Sequence, residues 1–283
     1  MRKANTASGP AVALLKASKK LASEGDLKGA IQKSQEAIKT DSTLTEAYQL
    51  LGSLLDVSGQ SAEALKIYKS GIAAAKNPAA LHHSIGMIYL ENNRSKDALS
   101  ALLQANDLMR PPRADLKADV AYTYLLLGNY KQGLEFSEQA INLNPKSFAA
   151  QYTRGEALFR AEKFIEASQA FERAVKISPK EVSAKRRQAQ ALQKAGQLNP
   201  AKDILRQLVT EQPKDIKSII LLAGILVELK NYTAAISKME AAAELAPNNA
   251  QILKLLAHTY QQAGEKKKMK QVNQKIRKLE NTK

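Results

Sequence analysis

The sequence predicts an all-α fold built from a series of repeated helix pairs. Shifting the 283-residue chain by 34 residues aligns it with itself, and the same positions carry small residues in each copy. Apolar residues recur at spacings of three and four on both sides of a central break in each copy, as they do in amphipathic helices. A period of this length is typical of solenoid proteins.

The 34-residue period divides the chain into repeats. Residues 1–10 precede the repeats as an N-terminal extension, and Arg113 is a single inserted residue. Because no linker or low-complexity segment interrupts them, we expect one solenoid domain over 11–283, with the last repeat as its cap. The eight repeats are 11–44, 45–78, 79–112, 114–147, 148–181, 182–215, 216–249 and 250–283.

The first helix of each repeat is predicted by one small and one large position. The eleventh position is always large and apolar, which suits a residue that fills the space between helices. The eighth position is always small, which allows two helix backbones to approach closely. Its occupants are Ser18, Gly52, Gly86, Ala121, Gly155, Ala189, Ala223 and Ala257.

Glycine and proline positions predict the break between the two helices of a repeat and the end of the second helix. A left-handed residue at a helix end favours glycine, and asparagine is the next best choice. Proline near the end of a repeat stops the second helix and opens the next one. The break carries Gly25, Gly59, Asn93, Gly128, Gly196 and Gly264, and the prolines at the end are Pro145, Pro179, Pro213 and Pro247.

These residues resemble the tetratricopeptide repeat. The resemblance covers the chain from Ala11 onward, and it implies a right-handed superhelical solenoid of eight helix-turn-helix repeats. In this family the first helices line a concave groove. Most of one copy of the family signature is reproduced by Tyr48, Leu51, Gly52, Ala64, Tyr68 and Gly71.

The resemblance also implies which residues face the groove. The groove is expected to be acidic in its N-terminal half, aromatic in the middle and basic beyond it. Aromatic faces bury area at little entropic cost, and arginine binds carboxylates through paired hydrogen bonds. The alternative is that these side chains pack between helices or are solvated. The predicted partner-binding residues are Tyr122, Tyr152, Phe159, Arg160, Arg186 and Arg187.

The resemblance implies a non-enzymatic scaffold that binds a peptide or helical segment of a partner protein in its groove. Bacterial relatives often serve envelope, pilus or secretion assemblies. No catalytic residue, cofactor or metal site is predicted, because the chain has no cysteine and only three histidines. Two of them, His82 and His83, are adjacent and point about 100° apart on a helix, so they do not share a metal easily.

The positive charge is unevenly distributed. The net charge is +16, of which residues 45–181 contribute only +1 and residues 250–283 contribute +7. Nucleic-acid binding is therefore not favoured, since it usually needs a continuous basic stripe, but it stays open. A candidate basic contact patch is Lys266, Lys267, Lys268 and Lys270. Its alternative is a solvated terminal helix with its cations toward the C-terminal end.

Two other functions stay open at this point. The chain could be a basic helical-repeat protein that associates with RNA or anionic surfaces, or a non-catalytic targeting subunit of an enzyme. No transmembrane segment is expected, because no apolar run approaches 18 residues. The location would be cytoplasmic, or periplasmic if a signal peptide has been removed. The partner and the oligomeric state are not predicted.

Overall fold

The structure is a computed structural model that describes residues 9–281. Within this range the regular structure consists of α-helices, and no strand occurs, which confirms the predicted all-α class. Most of the predicted N-terminal extension, residues 1–8, lies outside the described residues. Pro10, its last residue, already belongs to the first helix.

Two helices fall in each 34-residue period. From the second repeat on, the first helix begins at the first residue of the repeat, and the second helix begins sixteen residues later. The helices of the described residues are α1 (Pro10–Ser23), α2 (Leu27–Thr40), α3 (Thr45–Val57), α4 (Ser61–Ala74), α5 (Ala79–Glu91), α6 (Ser95–Leu108), α7 (Ala114–Leu126), α8 (Tyr130–Leu143), α9 (Phe148–Arg160), α10 (Phe164–Ile177), α11 (Val182–Lys194), α12 (Leu198–Glu211), α13 (Ile216–Glu228), α14 (Tyr232–Leu245), α15 (Ala250–Gln262) and α16 (Lys266–Glu280).

The helices form two compact units, unit 1 up to Thr153 and unit 2 from Arg154 onward, and α9 runs across the boundary. In unit 1 the pairs α1–α2, α3–α4, α5–α6 and α7–α8 each pack together. In unit 2 the same holds for α11–α12, α13–α14 and α15–α16. The expected single domain over residues 11–283 stays a prediction.

Every turn within a helix pair has the same geometry. Glycine has a positive φ at five of the eight breaks, and Asn93, Glu162 and Lys230 adopt φ of 57°, 59° and 59° at the other three. In each turn the next backbone N–H donates to the carbonyl of the residue five positions earlier, at 2.8–2.9 Å. This is the Schellman hydrogen bond, which ends a helix through a left-handed residue. The break is therefore set by backbone geometry even where glycine is absent.

The small eighth residue of the first helix packs against a large residue of the second helix. A Cβ built on Gly155 would lie 2.7 Å from two carbons of the Phe171 ring, closer than real contacts allow. Gly52 meets Tyr68 and Gly86 meets Leu102 in the same way, and in each case the partner is sixteen residues further along the chain. The predicted close approach of the helices is thus confirmed at these positions.

Within the described part of the chain, none of the helices combines the length and the apolarity that crossing a bilayer requires.

Candidate functional site

A cleft of about 480 Å³ opens in unit 1 along the first helices α1, α3 and α5. Most of its lining residues are polar, and they include charges of both signs. We call it the unit 1 cleft. It is lined by Lys19, Glu46, Gln49, Leu50, Ser53, Asp56, Tyr68, His83, Ser84, Met87, Ile88 and Arg113.

The helical period explains why these residues share one surface. Glu46, Gln49, Ser53 and Asp56 are three or four residues apart, so they lie along one face of α3. The opposite face of α3 carries Leu51 and Leu55, which pack in the hydrophobic core. The chain therefore presents a polar stripe to the cleft and an apolar stripe to the core.

Several polar groups of the unit 1 cleft are held by neighbours. Ser61 donates to Asp56 at 2.6 Å, and His83 Nε2 lies 2.7 Å from Asp119 Oδ2 on the next first helix. Glu46 and Gln49, by contrast, have no side-chain hydrogen bond to any other described residue. Glu46 is also exposed, so its carboxylate and the Gln49 amide are available to a ligand.

Tyr68 on α4 and Arg113 just before α7 line the cleft without belonging to a first helix, so the expectation that first helices line the groove did not include them. The inserted Arg113 donates through Nε to Asp115 at 3.0 Å. Partial burial would raise the pKa of Asp115, but the hydrogen bonds from Arg113 and the Leu116 amide outweigh it, so the pKa lies below its usual range. Burial raises the pKa of the Tyr68 phenol to about 12, so this side chain stays neutral.

Unit 2 brings together two of the predicted partner-binding residues. Arg187 lies over the Phe159 ring, 4.3 Å from its centroid, and makes a two-bond ion pair with Glu156. Arg186 pairs with Asp215 at 3.3 Å. All four charged side chains of these pairs are between 16% and 21% exposed. An incoming carboxylate would have to compete with Glu156 or Asp215 for either guanidinium group.

The other three predicted anchors do not take part in these contacts. Tyr122 on α7 is 46% exposed, and Arg160 is exposed at the last residue of α9. Tyr152 is half-buried, and its ring stacks on Phe148 with centroids 5.7 Å apart. Of these three, Tyr122 presents the most accessible aromatic surface.

The candidate basic patch lies at the start of α16. Lys266, Lys267, Lys268 and Lys270 are all exposed. The expected solvated helix with cations toward its C-terminal end is only partly correct. Arg277 and Lys278 do occupy the last turn, but the four lysines occupy the first turn and the residues next to it, where the helix dipole disfavours positive charge.

Residues 9–281 contain no cluster of three or more side chains suited to metal binding. His82 lines a separate cavity formed by α4, α5 and α6, and burial lowers its pKa.

Comparison with protein families gives two matches. Residues 155–251 match the TPR domain of cytochrome c-type biogenesis protein H, and residues 121–182 match the tetratricopeptide repeat. No curated protein matches the sequence significantly.

Solved structures share the fold at low sequence identity. A tetratricopeptide repeat protein from Parabacteroides merdae is 19% identical, with a TM-score of 0.59, over 88% of this chain and 98% of that chain. PilF of Pseudomonas aeruginosa is 17% identical, with a TM-score of 0.63, over 72% and 92%. The C-terminal part of a TPR repeat-containing protein from Cytophaga hutchinsonii is 15% identical, with a TM-score of 0.65, over 86% and 99%. These similarities establish the architecture of the chain and nothing finer.

Proposed function

Because this chain belongs to the tetratricopeptide-repeat family, a family of protein-interaction scaffolds, we propose that it is a non-enzymatic scaffold that binds an extended or helical segment of a partner protein along its first helices. The observation that supports this proposal best is the unit 1 cleft. Its volume of about 480 Å³ is within the range of about 300–1,000 Å³ that small ligands and short peptide segments occupy.

The cleft favours a partner segment that is polar and carries a basic residue. Glu46 is exposed and without an ion-pair partner among the described residues, so a lysine or arginine of the partner can approach it. The Gln49 amide can bond to the partner backbone, and Met87 offers an adaptable apolar contact. An extended peptide provides this alternation of backbone amides and side chains.

The predicted anchors Tyr122, Tyr152, Phe159, Arg160, Arg186 and Arg187 extend the proposal to further first-helix positions. Tyr152→Ala should cost about 1–3 kcal/mol of binding free energy with little effect on folding, if the partner contacts this ring. Arg186→Glu should weaken the binding of an acidic partner segment and leave the binding of a basic segment unchanged. The envelope, pilus or secretion context stays a prediction, because the likeness to pilF is at 17% identity.

Site-specific photo-crosslinking tests the proposal. A photoreactive amino acid at Gln49 should crosslink a partner protein in cells, whereas the same group at Glu63, exposed on the second helix α4, should not. The purified partner should then bind the Glu46→Lys variant about tenfold or more weakly, since a like charge would meet its basic residue.

Glu63→Lys is the matched control, because it makes the same charge change at an exposed position outside the cleft. It should bind the partner like the wild type. The cleft would not be the site if Glu46→Lys and Glu63→Lys had equal effects, or if crosslinks arose equally from both positions.

A further inference from the structure

The last helix carries the densest charge of the chain. Residues 266–278 contain seven Lys or Arg and no Asp or Glu. An apolar stripe of Met269, Val272 and Ile276 packs α16 into the core of unit 2, and Ile276 is its only buried residue. The remaining sides of the helix are exposed. We call this element the terminal basic helix.

The stability of the fold does not account for this charge. Lys266, Lys267 and Lys268 occupy the first turn, where the helix dipole is repulsive to cations. Lys266 and Lys270 are four residues apart, a spacing at which like charges destabilise a helix. Among the described residues, Lys266, Lys270 and Arg277 have no ion-pair partner, and Lys268 reaches Glu240 only at 3.6 Å. A polyanionic ligand would offset these costs.

The order of side chains along the terminal basic helix indicates which class of polyanion it can bind. Cations occupy both ends, and Gln271, Asn273 and Gln274 lie between them on the exposed surface. With a rise of 1.5 Å per residue, the 15 residues of α16 extend about 22 Å, which suits a helix that lies along a groove. The major groove of B-form DNA is about 12 Å wide and admits an α-helix. Amide side chains can bond to adenine in that groove, and lysine and arginine bind phosphates.

Other polyanions match these features less well. Single-stranded nucleic acids need aromatic stacking platforms, and α16 contains no aromatic residue. The major groove of A-form RNA is too narrow for side chains to read. Membrane-surface helices bury an apolar face in the bilayer, but the apolar stripe of α16 is already packed in the core. The described residues from 246 onward expose no large apolar side chain.

From this arrangement we propose that the terminal basic helix binds double-stranded DNA in the major groove. Its lysine and arginine side chains contact phosphates that border the groove, and its central amides face the base edges. This binding surface is separate from the unit 1 cleft, so it does not depend on the scaffold function proposed above.

Fluorescence anisotropy with a labelled mixed-sequence DNA duplex tests this proposal on the full chain. Replacing Lys266, Lys270 and Arg277 with glutamine should weaken binding about tenfold or more at about 100 mM NaCl. The slope of log affinity against log salt should become shallower by about 2.7, the value for three lost phosphate contacts. Thermal melting followed by circular dichroism verifies that the variant is folded.

The matched control replaces Lys69, Lys96 and Lys131, three exposed lysines on second helices of unit 1, with glutamine. It removes the same total charge and should bind the duplex like the wild type. An equal loss in both variants would show a non-specific charge effect and overturn the proposal. The proposal also fails if single-stranded DNA or duplex RNA binds as tightly, if vesicles of phosphatidylglycerol bind and DNA does not, or if no DNA binding is seen.

Discussion

At the scale of single residues, two glycines inside first helices, Gly155 and Gly224, carry opposite predictions for substitution by alanine. Gly155→Ala places a methyl group 2.7 Å from the Phe171 ring, so the helices must separate and stability should fall by about 1–3 kcal/mol. Gly155→Leu should cost at least as much. Chemical denaturation gives the free energy of unfolding for each variant.

Gly224→Ala is the control for this prediction. Gly224 lies inside the first helix α13, but a Cβ there would have no atom within 4 Å. Alanine should therefore raise stability by about 0.5–1 kcal/mol through its better helix propensity. The packing register described above would be wrong if Gly155→Ala were as stable as wild type.

The turn residues give a second residue-scale prediction. Lys230 has a φ of 59°, a conformation that costs a residue with a Cβ about 1 kcal/mol. Lys230→Gly should relieve this cost and raise the melting temperature. The reverse change at the equivalent position, Gly264→Lys, should lower it. Equal melting temperatures for all three proteins would contradict the left-handed geometry.

The sequence predicts these packing and turn positions to different degrees. Gly25 and Asn93 indicate the left-handed turn by their residue type, since glycine and asparagine favour this conformation. Glu162 and Lys230 give no such signal, because there the surrounding hydrogen bonds impose the turn. The predicted role of Arg187 did not include its pairing with Glu156, 31 residues earlier. Which carboxylate an arginine selects depends on rotamers that a sequence does not specify. Opposite charges separated by nearly one repeat are nevertheless a usable signal, since such residues lie on neighbouring first helices.

At the scale of an element, acidic residues in the first turn of the terminal basic helix should stabilise this helix. Lys267→Glu replaces a cation at the positive end of the helix dipole and should stabilise the fold by about 0.3–1 kcal/mol. The same substitution should weaken DNA binding. Denaturation and anisotropy on one preparation measure both effects, and Lys275→Glu, in the second half of α16, is the control without the first-turn benefit.

The boundaries of the elements were the most predictable part of the fold. The repeat register places the start of α3 at Thr45 and of α5 at Ala79, where the structure has them. The cleft was less predictable. The resemblance predicts a groove along the first helices with an acidic N-terminal half, but which side chains enclose one cavity depends on the spacing of α1, α3 and α5 in space.

At the scale of the whole molecule, net charge should limit stability. The chain carries +16, and like charges repel more strongly in the compact state than in the unfolded chain. Raising NaCl from about 20 to 300 mM shortens the Debye length and should raise the melting temperature. A variant with Lys266, Lys267 and Lys270 changed to glutamate has a net charge of +10. Its melting temperature should rise less on the same addition of salt. An unchanged or lower melting temperature in salt would contradict this prediction.

The packing of each helix against those near it in sequence also governs how the protein is made. Within each of the two units, the closest packing is between helices that are consecutive in the chain, and some first helices also contact the next first helix. Small helical domains rich in such local contacts fold in microseconds to milliseconds, because few long loops must close. A ribosome adds about 5–20 residues per second, so each further repeat takes roughly 2–7 s to synthesise. A new helix pair therefore has time to settle on the preceding one while the rest of the chain is still being translated.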